Sequence, residues 1–320
     1  MIPKPDHIFD RQAEWRGLVD FVSSGASTAT LGIVSGRRRQ GKSYLLEALT
    51  RAADGLYFPA IEATEAESLR LFSDALIEHT RRPVGPGLRD WSHALSVLFD
   101  LVRDPVPVVI DQLPFLVKAS PSLPSMLQRE LGPGGAGRHS RARLLLCGSA
   151  MGVMGSLLSG RAPLRGRAGF ELLVQPFSYR DAARFWGITD PRLAVLVHAV
   201  VGGTPAYRRE LVTDIAPADL ADFDAWVART VLNPRSPLFR EARYLLAEEV
   251  DIRDPALYHS VLAAASLGHT TAGGIANFIG RRSDQLSHPL TVLEDAGLLK
   301  RDVDLFRSSR PLPRLYARSP

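Results

Sequence analysis

The sequence predicts an α/β protein: a parallel sheet built around a phosphate-gripping loop, then a helical segment, then a C-terminal module of three helices and a β-ribbon. Three observations lead there. The apolar run Leu31-Gly32-Ile33-Val34-Ser35 enters the glycine-bracketed loop Gly36-Arg37-Arg38-Arg39-Gln40-Gly41-Lys42-Ser43, and Tyr44, Leu45 and Leu46 then open a helix-period pattern. A β-branched run, Val108-Val109-Ile110, ends in Asp111. From position 176 onward the apolar spacing turns helical.

Strand, loop and helix in that order form the context of a Walker A motif. A nucleoside triphosphate brings several negative charges, and such a loop meets them mainly with backbone N–H groups. Gly36 and Gly41 permit angles and approaches that a side chain would block. The helix beginning near Lys42 turns its positive end to the phosphates. Lys42 reaches the β and γ groups, and the Ser43 hydroxyl is placed to ligate Mg²⁺. The expected nucleotide contacts along the loop are Gly36, Arg39, Gln40, Gly41, Lys42, Ser43 and Tyr44.

The composition narrows the class. A chain of 320 residues is long enough for two or three compact units, and 45% hydrophobic residues is ordinary for a globular protein. No apolar run nears the roughly 20 residues of a bilayer crossing, and Met1-Ile2-Pro3-Lys4-Pro5-Asp6 lacks an apolar signal core. A cytoplasmic protein with no membrane partner is expected. The single cysteine, Cys147, leaves no disulfide or cysteine-based metal site, and the eight histidines show no paired metal spacing, so no structural zinc is expected. The net charge of +5 is mildly basic, but only four of the 39 basic residues are lysines. That skew follows from a GC-rich genome as readily as from nucleic-acid binding, so the placement of arginines says more than their number.

In chain order, residues 8–15 form a turn into an amphipathic helix carrying Trp15, Leu18, Val19, Phe21 and Val22. Residues 55–61 read as a second strand, and 65–79 and 91–102 as helices. The strand at 105–112 delivers Asp111 to the edge that holds the phosphate loop, because ligands of open α/β sheets bind at the carboxyl ends of strands. There Asp111 would hold Mg²⁺, often through water. Residues 143–149 form a further strand ending at Ser149, either a polar group beside the γ-phosphate or a plain strand cap. The loop at 159–170 carries Arg161, Arg165 and Arg167. Either it is simply solvated, or one of them, Arg167 foremost, supplies positive charge to the transition state in cis or to a neighbouring subunit.

Helices follow at 179–186 and 191–201, broken by Gly202-Gly203-Thr204-Pro205-Ala206-Tyr207, a stop and a new start. After the proline-rich join at 233–237, helical patterns at 257–267, 271–279 and 283–294 and a strand from 297 read as a winged helix-turn-helix. Docked on DNA, it would present Arg281, Arg282, Ser283, Gln285 and His288 to the major groove or its phosphates. Glu294, Asp295 and a kink at Pro289 count against that, and many winged helices bind protein instead. The expected domains are a core at 1–175, a lid at 176–245, the winged helix at 246–306, and an exposed tail at 307–320 with Arg307, Arg310, Arg314 and Arg318.

Taken together, the loop, the Asp111 strand, Gly148-Ser149, Pro163-Leu164-Arg165-Gly166-Arg167, Gly202-Gly203-Thr204-Pro205-Ala206-Tyr207 and the winged helix resemble the archaeal ATPase family. That group is AAA+-like and is placed with the STAND switch ATPases; its fold is a P-loop NTPase sheet of the ASCE type with a helical lid. The resemblance implies ATP or ADP with Mg²⁺ as ligands. It also implies that Phe9 and Arg11 fold over adenine, as in the F-x-x-R-x-x-E-L box of such proteins, and that Pro205, with Tyr207 beside it, packs against the base. Lys42, Asp111, Gln112, Ser149 and Arg167 become the implied catalytic set. Gln112 is a departure, because such ATPases carry a glutamate there as the base; an amide orients water but cannot take its proton. Either the protein is a naturally slow switch, or a glutamate was replaced to trap ATP. Many members continue past the winged helix into a nuclease-like domain. This chain stops about there, by nature or by truncation, so nuclease activity is not carried over. The implied function is a nucleotide switch acting on double-stranded DNA or a protein partner. The alternatives are an ATP-dependent assembly protein, homo-oligomeric or bound to another chain, whose winged helix makes only protein contacts, and an origin-initiator-like ATPase.

Overall fold

The structure, a computed structural model, describes residues 2–85, 87–212, 215–241, 244, 246, 254–302 and 314–317. Two compact units divide the chain. The first holds the residues up to Gly36, Gly41–Ser149 and Val153–Val174; the second holds Arg37–Gln40, Ala150–Gly152 and the described residues from Gln175 onward.

In the first unit, β1 (Thr30–Ser35), β2 (Leu56–Pro59), β3 (Pro107–Asp111), β4 (Arg143–Gly148) and β5 (Ala168–Leu173) form a parallel sheet in the order β2-β3-β4-β1-β5. The central strands are apolar almost without interruption because helices cover both faces. Successive residues of β4 go to opposite cores: Leu144 and Leu146 join Phe72, Trp91 and Leu98, whereas Leu145 and Cys147 join Trp15, Leu18 and Leu46. Helices α1 (Gln12–Val22) and α2 (Lys42–Ala52) supply the second face. Helices α3 (Glu65–Thr80), capped by Thr64, and α4 (Trp91–Leu101), capped by Asp90, supply the first. The buried guanidinium of Arg143 pins the loop that enters β1. It donates to the carbonyls of Ser24, Ala26 and Thr28 at 2.8–3.1 Å.

Because every strand is parallel, Ser35, Asp111 and Gly148 end at one edge. β4 lies between β1 and β3, so Ser149 emerges between the Walker A strand and the Asp111 strand. Two short helices unseen in the sequence follow Asp111, α5 (Leu113–Ala119) and α6 (Leu123–Glu130), each with a proline in its first turn.

The second unit contains Tyr179–Trp186 and Pro191–Val201, capped by Ser178 and Asp190, a π-helical turn at Tyr207–Leu211, and Phe223–Thr230. Farther on, helices Pro255–Ser266, Ala272–Ile279 and Ser287–Asp295 precede an antiparallel pair, β6 (Leu299–Asp302) and β7 (Arg314–Ala317). They enclose their own core around Val261, Ile275, Leu286 and Leu293. Two expectations are corrected. Pro289 does not kink its helix, since it stands in the first turn, where the backbone N–H has no intrahelical acceptor to lose. Part of the expected exposed tail is β7, where Leu315 is buried; Arg307, Arg310 and Arg318 lie outside the described residues. Among the described residues no helix is long and apolar enough to cross a membrane.

Candidate nucleotide site

The loop leaves β1 through Gly36, at φ 143°, where a Cβ would stand 2.5 Å from the Val174 carbonyl oxygen. Only glycine fits. Gly41, at φ 85°, is the N-cap of α2 with nothing within 4 Å of a Cβ, so the backbone angle alone selects glycine there. No side chain caps α2, and its first N–H groups face the loop as a ready anion site. Arg39 holds a left-handed φ of 66°, a conformation that costs an L-residue about 1–2 kcal/mol. Lys42 is 4% exposed, and its Nζ donates to the Gly36 carbonyl at 2.6 Å, so the ammonium already lies inside the loop.

Asp111 is 2% exposed at the end of β3. Its Oδ2 accepts from the Tyr57 hydroxyl at 2.6 Å and its Oδ1 from the Gln112 N–H at 2.8 Å. Burial, then Asp111, pushes the Tyr57 hydroxyl far above its ordinary value, so it stays a donor. The same two causes raise the Cys147 thiol. Gln112 takes a left-handed φ of 57°, and the Ser149 hydroxyl, just past β4, lies 3.5 Å from its Oε1, the long limit of a hydrogen bond. These residues fit a magnesium nucleotide: the loop N–H groups and Lys42 would take the phosphates, and Ser43 and Asp111 the cation. Among the described residues no cluster of three or more histidine, cysteine or carboxylate ligands forms a separate metal site.

Other expected contacts fall differently. Asp10 and Arg11 both have positive φ, so Phe9 leads into a tight turn; Arg11 is 7% exposed and pairs with Glu14 at 2.7 Å. The Tyr44 side chain is exposed and meets the His7 ring edge-on at 5.4 Å, leaving its backbone as the part available to a phosphate. Arg167 is corrected for a role in cis. It precedes β5, whose Ala168 pairs with Leu31 near the start of β1, so Arg167 sits at the sheet edge opposite the phosphate loop.

Within the second unit, the loop's own side chains are held by the segment after Gly202. Gln40 is 1% exposed, and its Nε2 donates to Thr204 Oγ1 at 2.9 Å. Arg39 is ion-paired with Glu241, a buried carboxylate that no motif or spacing singles out. The Tyr207 hydroxyl donates to the same Glu241 oxygen at 3.2 Å. Tyr207 is 1% exposed, so it is a packing and hydrogen-bonding residue of its unit, which corrects its expected place beside the base. Burial, followed by the Glu241 charge, raises its hydroxyl well above the ordinary value. Gly203 is required because a Cβ would meet the Phe177 carbonyl at 2.0 Å; Pro205, half-buried, starts the next turn. Arg37 lies against Gly297, the left-handed turn entering β6, at 3.2 Å from where a Cβ would be. Arg281, Arg282, Ser283, Gln285 and His288 are all exposed, and Arg282 pairs with Asp284 at 2.8 Å.

No protein-family model matches the chain. The uncharacterized protein MJECL04 of Methanocaldococcus jannaschii is 23% identical over 303 residues, covering 93% of this chain and 63% of that protein. The chain therefore spans less than two thirds of that relative's length. Among solved structures, the Walker-type ATPase PABY2304 of Pyrococcus abyssi aligns with a TM-score of 0.65 at 17% identity, covering 99% of this chain and 95% of that one. The Aeropyrum pernix ORC2 protein, in ADPNP-ADP complexes, aligns with a TM-score of 0.56 at 15% identity over 98% and 91% of the two chains. At these identities the likeness is one of fold.

Proposed function

From a chain that carries the fold of the archaeal-type AAA+ P-loop ATPases, we propose an ATP-operated switch that passes its nucleotide state to a C-terminal winged helix. The observation that carries this reading is that residues 37–40 of the loop belong to the second unit, held there by Gln40 to Thr204 and Arg39 to Glu241. A loop that reshapes around phosphates must disturb those bonds. Arg37 against Gly297 extends the same linkage to the turn before β6.

Lys42 would exchange the Gly36 carbonyl for phosphate oxygens, a stronger, charge-assisted bond. A magnesium ion held by Ser43 and Asp111 would neutralise charge on the β and γ groups. Gln112 and Ser149 can orient a water but neither is a base, so hydrolysis is slow and the bound state long-lived. Arg167 is assigned, as part of this reading, to a neighbouring subunit. The three C-terminal helices and ribbon, with the exposed set Arg281, Arg282, Ser283, Gln285 and His288, support a DNA-facing surface.

The test is small-angle scattering with and without Mg-ATP, beside duplex binding across a salt series. ATP that leaves the scattering profile unmoved removes the switch. Duplex affinity that falls with salt at a slope of several phosphates supports the DNA reading; none at low salt favours an assembly protein with winged-helix contacts to protein alone. An origin-initiator-like role is favoured by the fold shared with the ORC2 protein, and assembly on origin-like DNA distinguishes it.

A further inference from the structure

One group beside Asp111 has no part in the phosphate loop or the lid contacts. The β2–β3 register sets Tyr57 opposite Val109 and Pro59 opposite Asp111. Side chains two apart on a strand share a face, and a long one reaches its diagonal neighbour, so the Tyr57 phenol arrives at the Asp111 carboxylate. It donates to Oδ2 at 2.6 Å while the Gln112 N–H occupies Oδ1 at 2.8 Å. Each oxygen thus has one fixed donor and retains lone-pair capacity for a cation or its water. The ring is anchored separately, half-buried against the cluster containing Val34, Leu46, Val109 and Cys147.

We propose that Tyr57 is a positioning residue for the magnesium-nucleotide site, fixing the Asp111 carboxylate of β3 from the neighbouring strand β2. The inference rests on the reading of the loop as an ATP site, and it assigns Tyr57 to the divalent cation rather than to the base or the phosphates. Ligands held by preformed hydrogen bonds have little freedom left to lose on taking up a cation. Outer partners of this kind commonly contribute about 10- to 100-fold in metal affinity.

The test compares the full chain with Tyr57→Phe, which keeps the ring and deletes one oxygen. Binding of a fluorescent ATP analogue is measured in EDTA and over a magnesium titration, and Mn²⁺ affinity of the ATP-loaded protein is read by electron paramagnetic resonance. The expected result is equal binding in EDTA and metal affinity lower by about 10-fold or more in the variant. Equal metal affinities overturn the proposal and leave the ATP reading standing. A full chain that retains no nucleotide with or without magnesium removes that reading and this inference with it. Should Tyr57→Phe not fold, fluorotyrosine introduced by codon suppression at position 57 alone gives the second measurement. Its ¹⁹F line must move when magnesium joins bound ATP, with the midpoint of the binding curve; a line that stays still overturns the proposal.

Discussion

Arg39 and Glu241 stand 202 positions apart and form an ion pair in which the carboxylate side chain is only 3% exposed and the guanidinium 22%. One partner belongs to the loop that would grip phosphate. The other oxygen of Glu241, Oε2, is buried with no hydrogen-bond partner among the described residues, so Arg39 and Tyr207 satisfy the carboxylate at one atom.

Glu241→Gln therefore removes the charge while preserving the shape. Breaking a buried pair commonly costs about 3–5 kcal/mol, but Arg39 reaches solvent and recovers part of that, so a loss of about 1–3 kcal/mol is expected. Urea unfolding measures it. An unchanged midpoint would show the pair to be incidental.

Lys42→Ala should leave the fold intact and reduce ATP affinity by about 10- to 100-fold, the worth of one or two charge-assisted hydrogen bonds. ADP should lose less, because one fewer phosphate depends on the ammonium. Calorimetry with both nucleotides checks the difference.

Gln112→Glu restores a carboxylate at a strand end beside Ser149. A positioned base contributes about 10²- to 10⁴-fold, so the expected result is turnover at least about 100-fold faster than in the present chain. Equal, slow rates would mean that hydrolysis is not limited by the base and that the chain is a natural switch.

His198 supplies a pH dependence. Burial lowers its imidazole below the ordinary 6.5, partly opposed by a backbone hydrogen bond with Gly202, and its Nδ1 is buried with no partner. The folded state therefore disfavours the proton that the unfolded chain accepts. The stability this gives is complete above 6.5 and is lost as pH falls from there through the folded value. Melting temperature should drop as pH falls below 6.5, and His198→Gln should flatten that slope.

Local chemistry made much of this molecule readable in advance. The Gly36 and Gly41 spacing and the acid closing β3 each act within a few residues, where sequence carries the signal. Helices α5 and α6 escaped because each is one or two turns long and begins with a proline near a loop. β7 was concealed by arginine and proline neighbours, although Leu315 is the residue its ribbon buries. Tyr57 and Glu241 could not have been found that way: the first depends on strand register and the second on a pairing across most of the chain. Arg167 misled because a motif fixes the residue type but not the end of the sheet at which the loop emerges.

Cys147 is the chain's one cysteine, fully buried, with its thiol kept protonated by its surroundings. Maleimides and nitroxide reagents attack exposed thiolate, so the native chain should be inert to them. A single cysteine introduced at any solvent-facing position then becomes the sole handle for a probe. Pairs of such handles would let spectroscopic rulers follow the two units through a nucleotide cycle without first stripping the protein of its natural sulfur.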